Sequence, residues 1–264
     1  MYRTSRYKKI DGIAVKRLMV ICVLAILLSG CGKASGGGSG ALGHGERNES
    51  ATDSHVDFDK LREVNSDIFA WIYVPDTSID YPVVQSSEGD DYYYINHNVQ
   101  KQEDPKGAIY TEAANLTNMC DFNEVLHGQS PDDGTMFSDL NLFLDRPFFE
   151  EHPYIYVYMD GNALIYYTFA AFTRNNTRLI EQYDFTYASG CQQFLDEIYD
   201  KKSMNRIVRS GWENAVEVDN FIITLSTQSR DDPTKQIVVV GCLVGDVRGV
   251  IDRFVDYSDP DYDE

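Results

Sequence analysis

The stretch FIITLSTQSRDDPTKQIVVVGCL, Phe221 to Leu243, decides the fold. Its two arms are apolar and rich in β-branched residues, while Ser, Arg, Asp and Pro crowd the segment between them. It reads as two buried strands joined by a polar loop. Gln228 stands at the mouth of that loop, immediately after Thr227. Its carboxamide is neutral and not a nucleophile near neutral pH.

Working outward, short strand-like runs recur upstream: SIDYPVVQ, GAIYTE, NEVLHG and YIYVYMDGNALIYYTFAAF. The last is a hairpin signal, with Asp160-Gly161 between two aromatic-rich arms. Helical spacing of Phe58, Leu61, Val64 and Ile68 predicts a helix near the start, and NSD then leads into an apolar strand carrying Trp71. A second helix is predicted in TYASGCQQFLDEIYDKKS, with Phe194, Leu195 and Ile198 on one side and Lys201 and Lys202 in its last turn. Many short strands and few helices argue for a β-barrel or sandwich decorated by helices.

The 264 residues are 43% hydrophobic, enough to bury one substantial core. The formal charge of −19 is uneven, because the first 30 residues carry six basic side chains against Asp11 alone. So acidic a chain repels phosphate backbones, which argues against nucleic-acid binding. No cofactor or metal is expected: DDPT and SPDDGT lack the ligand spacing of a calcium loop.

Lys16 and Arg17 precede the apolar run LMVICVLAILL, which is short for a membrane span and right for a secretory leader. The following LSGCG resembles the lipobox of bacterial lipoproteins, in which the cysteine, here Cys31, carries lipid and becomes the mature N-terminus. Gly- and Ser-rich residues 32–55 form no core and read as a flexible tether with a reach of about 25–30 Å. The expected organisation is a signal peptide (1–30), a lipid-anchored linker (31–55), one folded domain (56–246) and an acidic tail (247–264). Of the cysteines left after the leader and anchor, Cys120, Cys191 and Cys242 cannot all pair within one chain.

The phrases NSDIFAWIYVPDTSIDYPVVQ, YYYINH, GAIYTE, HGQSPDDGTMFSDL, HPYIYVY and ITLST…IVVVG, taken together and in this order, resemble class B sortases. These are secreted cysteine transpeptidases of Gram-positive bacteria that join proteins to cell walls or pili. The resemblance covers about Phe58 to Leu243. It implies a closed, mainly β barrel with an N-terminal helix and a helix before the penultimate strand. It also implies a His, a Cys and an Arg: a thiolate attacks the carbonyl, an imidazole handles the amine's proton, and a guanidinium steadies the oxyanion or substrate backbone.

Phrase by phrase, those positions fall on Gln129, Gln228 and Gln236. A carboxamide has no thiolate, exchanges no proton near neutral pH and carries no positive charge. Loss of one member of such a set already costs about 10⁴–10⁶ in rate, and the losses do not add. The expectation is therefore an inactive, sortase-like lipoprotein on the outer face of the membrane. Its groove, with Ser226 and Thr227, is expected to bind a peptide or protein partner, with Cys31 in the lipid bilayer. Two rivals stand beside it: an active enzyme using relocated residues, drawn from His127, Cys120 and Ser229 with Arg230 or Lys235 as the cation, and a scaffold with a closed groove. For His127 the plainer expectation is an edge residue hydrogen-bonded to its neighbours.

Overall fold

In the computed structural model, which describes residues 56–200 and 205–251, Phe221–Leu243 supplies two antiparallel strands. They are β8 (Ile222–Gln228) and β9 (Lys235–Asp246), and their ladder ends with Gln228 opposite Gln236. The Val238–Val240 run is continuous because β9 is buried on both faces. One face adjoins Leu225, Ile237 and Val239 in the main core, and the other adjoins Val238, Val240 and Cys242 under a helix.

The other strands are β1 (Ile68–Tyr73), β2 (Asp80–Gln85), β3 (Ile109–Thr111), β4 (Asn123–His127), β5 (Tyr154–Met159), β6 (Asn162–Asn175) and β7 (Arg206–Val208). Sheet order is β5-β1-β2-β3-β4-β8-β9-β6-β7, and β5 also pairs with β6. That extra pairing closes eight strands into a barrel and leaves β7 as an outer addition to β6. The β5–β6 turn is Asp160-Gly161, where Gly161 has φ of +66°, a conformation glycine adopts without strain. Mostly β with helices, the barrel matches the architecture expected from the sequence.

Helix α1 (Phe58–Val64) starts at Asp57, whose carboxylate accepts a bond from the Lys60 amide. It is shorter than its apolar spacing suggests: Asn65 ends it, accepting from the Asp67 amide, and Ile68 opens β1. Helices α2 (Arg146–Glu151) and α3 (Leu179–Gln182) are short. Helix α4 (Ala188–Tyr199) lays Cys191, Phe194, Leu195 and Ile198 over the outer barrel face. Full burial of Phe194 contributes about 1.5–3 kcal/mol. Lys201 and Lys202, the leader, Cys31, the linker and the tail beyond residue 251 lie outside the described residues.

Candidate functional site

Strand β8 is central, parallel to β4 on one side and antiparallel to β9 on the other. His127 is the register partner of Ser226, and the Gly128 amide extends the pairing by donating to the Ser226 carbonyl at 3.2 Å. His127 therefore lies on an interior strand, flanked by β3 and β8, and the edge position expected from the sequence is corrected. Gln129 follows just beyond, its carbonyl held by the Phe137 amide at 2.9 Å. Gln129, Gln228 and Gln236 line one cavity of about 250 Å³, together with Ser226 and Thr227.

Each amide nitrogen meets a backbone carbonyl. Gln129 Nε2 donates to Ile95 O at 3.2 Å, and Gln228 Nε2 donates to Pro233 O at 2.9 Å. Gln236 Nε2 donates to Asn175 O at 3.2 Å and Thr177 O at 2.8 Å. A carbonyl only accepts, so these contacts fix which end of each amide is nitrogen. Gln236 Oε1 accepts the Ser226 hydroxyl at 2.7 Å.

Charged residues form a second wall. Arg178, in the segment after β6, bonds through Nε to Glu112 and reaches Asp91 at 2.6 Å, Glu181 at 3.1 Å and the Tyr92 hydroxyl at 3.0 Å. Its guanidinium also lies 5.0 Å from the Tyr92 ring centre. His127 Nε2 is 3.4 Å from Glu112 Oε2, without hydrogen-bond geometry, and Tyr110 stacks on the imidazole at 5.2 Å. Burial alone pushes the Glu112 carboxyl up, but His127 and Arg178 outweigh it and hold it below the ordinary value.

The other sequence candidates stand apart from this cavity. Cys120 belongs to the β3–β4 loop and borders two different cavities. Ser229 follows β8, its amide bonded to Lys235 O and its hydroxyl accepting from the Asp232 amide. Arg230 leans on Pro131 and Asp132, and Lys235 Nζ meets Asn175 Oδ1 at 2.7 Å. The cation in the cavity is Arg178, which sequence reasoning passed over. Glu112 was visible as the carboxylate closing GAIYTE, but nothing local marks Arg178, 66 residues away, as its partner.

A closed eight-stranded barrel with a polar cavity at the ends of β4, β8 and β9 defines the sortase type of fold. The chain is 32% identical over 192 residues to sortase B of Staphylococcus aureus, covering 71% of this chain and 74% of that protein. It is 30% identical over 193 residues to sortase B of Listeria monocytogenes, covering 70% and 72%. The solved Staphylococcus aureus sortase B–substrate complex superposes with a TM-score of 0.60 at 31% identity, over 70% of this chain and 83% of that one. No family model matches the chain. The chain belongs to the sortase B family.

Proposed function

We propose that this chain is a lipid-tethered extracellular sortase B homologue that binds an extended peptide segment and does not catalyse transpeptidation. One observation carries the reading: the three glutamines at the positions where the resemblance to class B sortases implies His, Cys and Arg line a single cavity. Among the described residues lining it there is no thiol, and the guanidinium present is bound by carboxylates. A relative solved as a substrate complex supports a peptide-sized occupant for the groove. An extended chain suits it because main-chain hydrogen bonds supply affinity without chemistry.

The rival with relocated residues draws on His127, which stands beside Ser226 with Glu112 behind it. Against it, the Ser226 hydroxyl donates to Gln236 and so is directed away from acting as a nucleophile toward His127. Incubation of the purified full chain with sorting-type peptides, followed by mass spectrometry of product and protein, separates the two. The expected result is reversible binding with no cleaved peptide and no acyl adduct. Turnover abolished by a single side-chain change overturns the reading, and so does a lack of affinity for every peptide.

A further inference from the structure

Arg206 opens β7 with a charge that the fold leaves unmet. Its Nε and Nη1 are buried without an acceptor, and the side chain makes no hydrogen bond or ion pair among the described residues. The guanidinium carbon instead lies 4.0 Å from the Phe172 ring centre. Burial pulls the guanidinium below its ordinary pKa, and the charges of Glu197 and Asp200 do not make up the difference. A guanidinium only donates and stays charged in proteins, so these buried N–H groups are costly until an acceptor, best an anionic one, meets them.

There is room for one. Arg206 and Val208 line a cavity of about 260 Å³ between β7, α2 and the end of α4, with Arg146 as a second guanidinium. Arg146 has only a loose contact with Glu150, at 3.6 Å. Asp200 and Glu213 border the cavity too, but neither meets Arg206 Nε or Nη1, and Glu213 Oε2 accepts the Gly211 amide at 2.7 Å. Strand β7 is the last in sheet order and pairs with β6 alone, so among the described residues its other edge is open to an added strand.

The sequence supplies an occupant. Residues 252–264 carry six carboxylates against Arg253 alone, and Phe254, Val255 and Tyr257 suit a strand. The described chain ends at Ile251, whose amide donates to Asp246, the register partner of Leu164 on β6. Strand β7 pairs with residues 170–172 of the same strand, about 20–30 Å further along. Residues 252–264 span up to about 45 Å when extended, so they reach the cavity, and attachment to the same chain raises their effective concentration.

We propose that the cavity beside β7 is a carboxylate-binding site whose occupant is the chain's own acidic segment 252–264, laid along the open edge of β7 with an Asp or Glu side chain against Arg206. The glutamine cavity takes no part in it.

The test compares the full chain with a full-length variant in which the six acids of residues 252–264 become Asn or Gln. NMR reads the Arg206 Nε–H signal and the hydrogen exchange of the residue 206–208 amides. The parent is expected to show a shifted Arg206 signal and exchange about tenfold slower than the neutralised variant, the difference fading in about 0.5 M salt. A synthetic peptide of residues 252–264, added to the neutralised variant, is expected to restore both, and Arg206→Gln to abolish the response. The first comparison leaves Arg206 in place and so does not depend on how that substitution folds. Identical Arg206 and amide behaviour in the parent and the neutralised variant overturns the inference. A difference that appears only at high protein concentration puts the segment of a second copy in the cavity and overturns docking within one chain.

Discussion

At the scale of single residues, the most consequential buried group outside the cavity is Glu124 on β4. It is 1% exposed; one oxygen accepts from the Asp121 amide at 3.3 Å, and Oε2 has no partner among the described residues. Burial pushes its carboxyl well above the ordinary value of 4.5, and the Asp121 charge adds to the shift. The folded-state value is the higher one, so the contribution to stability is intact below pH 4.5. It is lost as pH climbs from there through the folded-state value. Glu124→Gln, which cannot ionise, is expected to flatten that decline, giving a higher melting temperature than the parent at pH 8 and a smaller difference at pH 5. Thermal melts across the range check it, and parallel curves for the two proteins would refute it. Residue chemistry of this sort was only partly legible beforehand. The three glutamines stood out through the family-like phrases around them, whereas Glu124 reads locally as an ordinary polar residue in NEVLHG.

At the scale of elements, the cavity depends on how β3, β4 and the segment after β6 are pinned together. Arg178 holds that segment to Glu112, at the end of β3, which is 3% exposed in its side chain. Removing one partner of such a pair leaves a buried charge, so Arg178→Ala is expected to cost about 3 kcal/mol in urea unfolding. Adding Glu112→Gln should recover much of the loss, and the double-mutant cycle measures the coupling. Gly128 sets the approach of β4 to the barrel interior: an added Cβ would lie 2.5 Å from Ile109 Cδ1 and 2.8 Å from the Phe137 ring. Gly128→Ala is accordingly expected to destabilise by about 1–3 kcal/mol and to shift the Gln129 amide resonance. A variant as stable as the parent would show that the strand end yields. Strands β8 and β9 were readable because burial on both faces writes continuous apolar runs. The three residues of β7 and the six of α2 are too short to impose a period, and Ile68 kept the spacing of α1 while belonging to β1.

At the scale of the whole molecule, eight strands close on themselves through β5–β6, and a formal charge of −19 spreads over the chain. Self-repulsion of that size opposes compaction and is screened by salt. Raising ionic strength from about 0.02 M to about 0.5 M should therefore raise the melting temperature, and a fall would mean that surface ion pairs dominate instead. The amide-to-carbonyl contacts of Gln129, Gln228 and Gln236 carry a historical implication too. Restoring a thiol or an imidazole at one of these positions takes a donor away from a main-chain oxygen, at about 0.5–1.5 kcal/mol each. On the reading proposed above, catalysis would need the whole set, so each single step would lose stability and gain no rate. If the chain is the binder proposed above, a handful of main-chain oxygens acts as the pawl of an evolutionary ratchet.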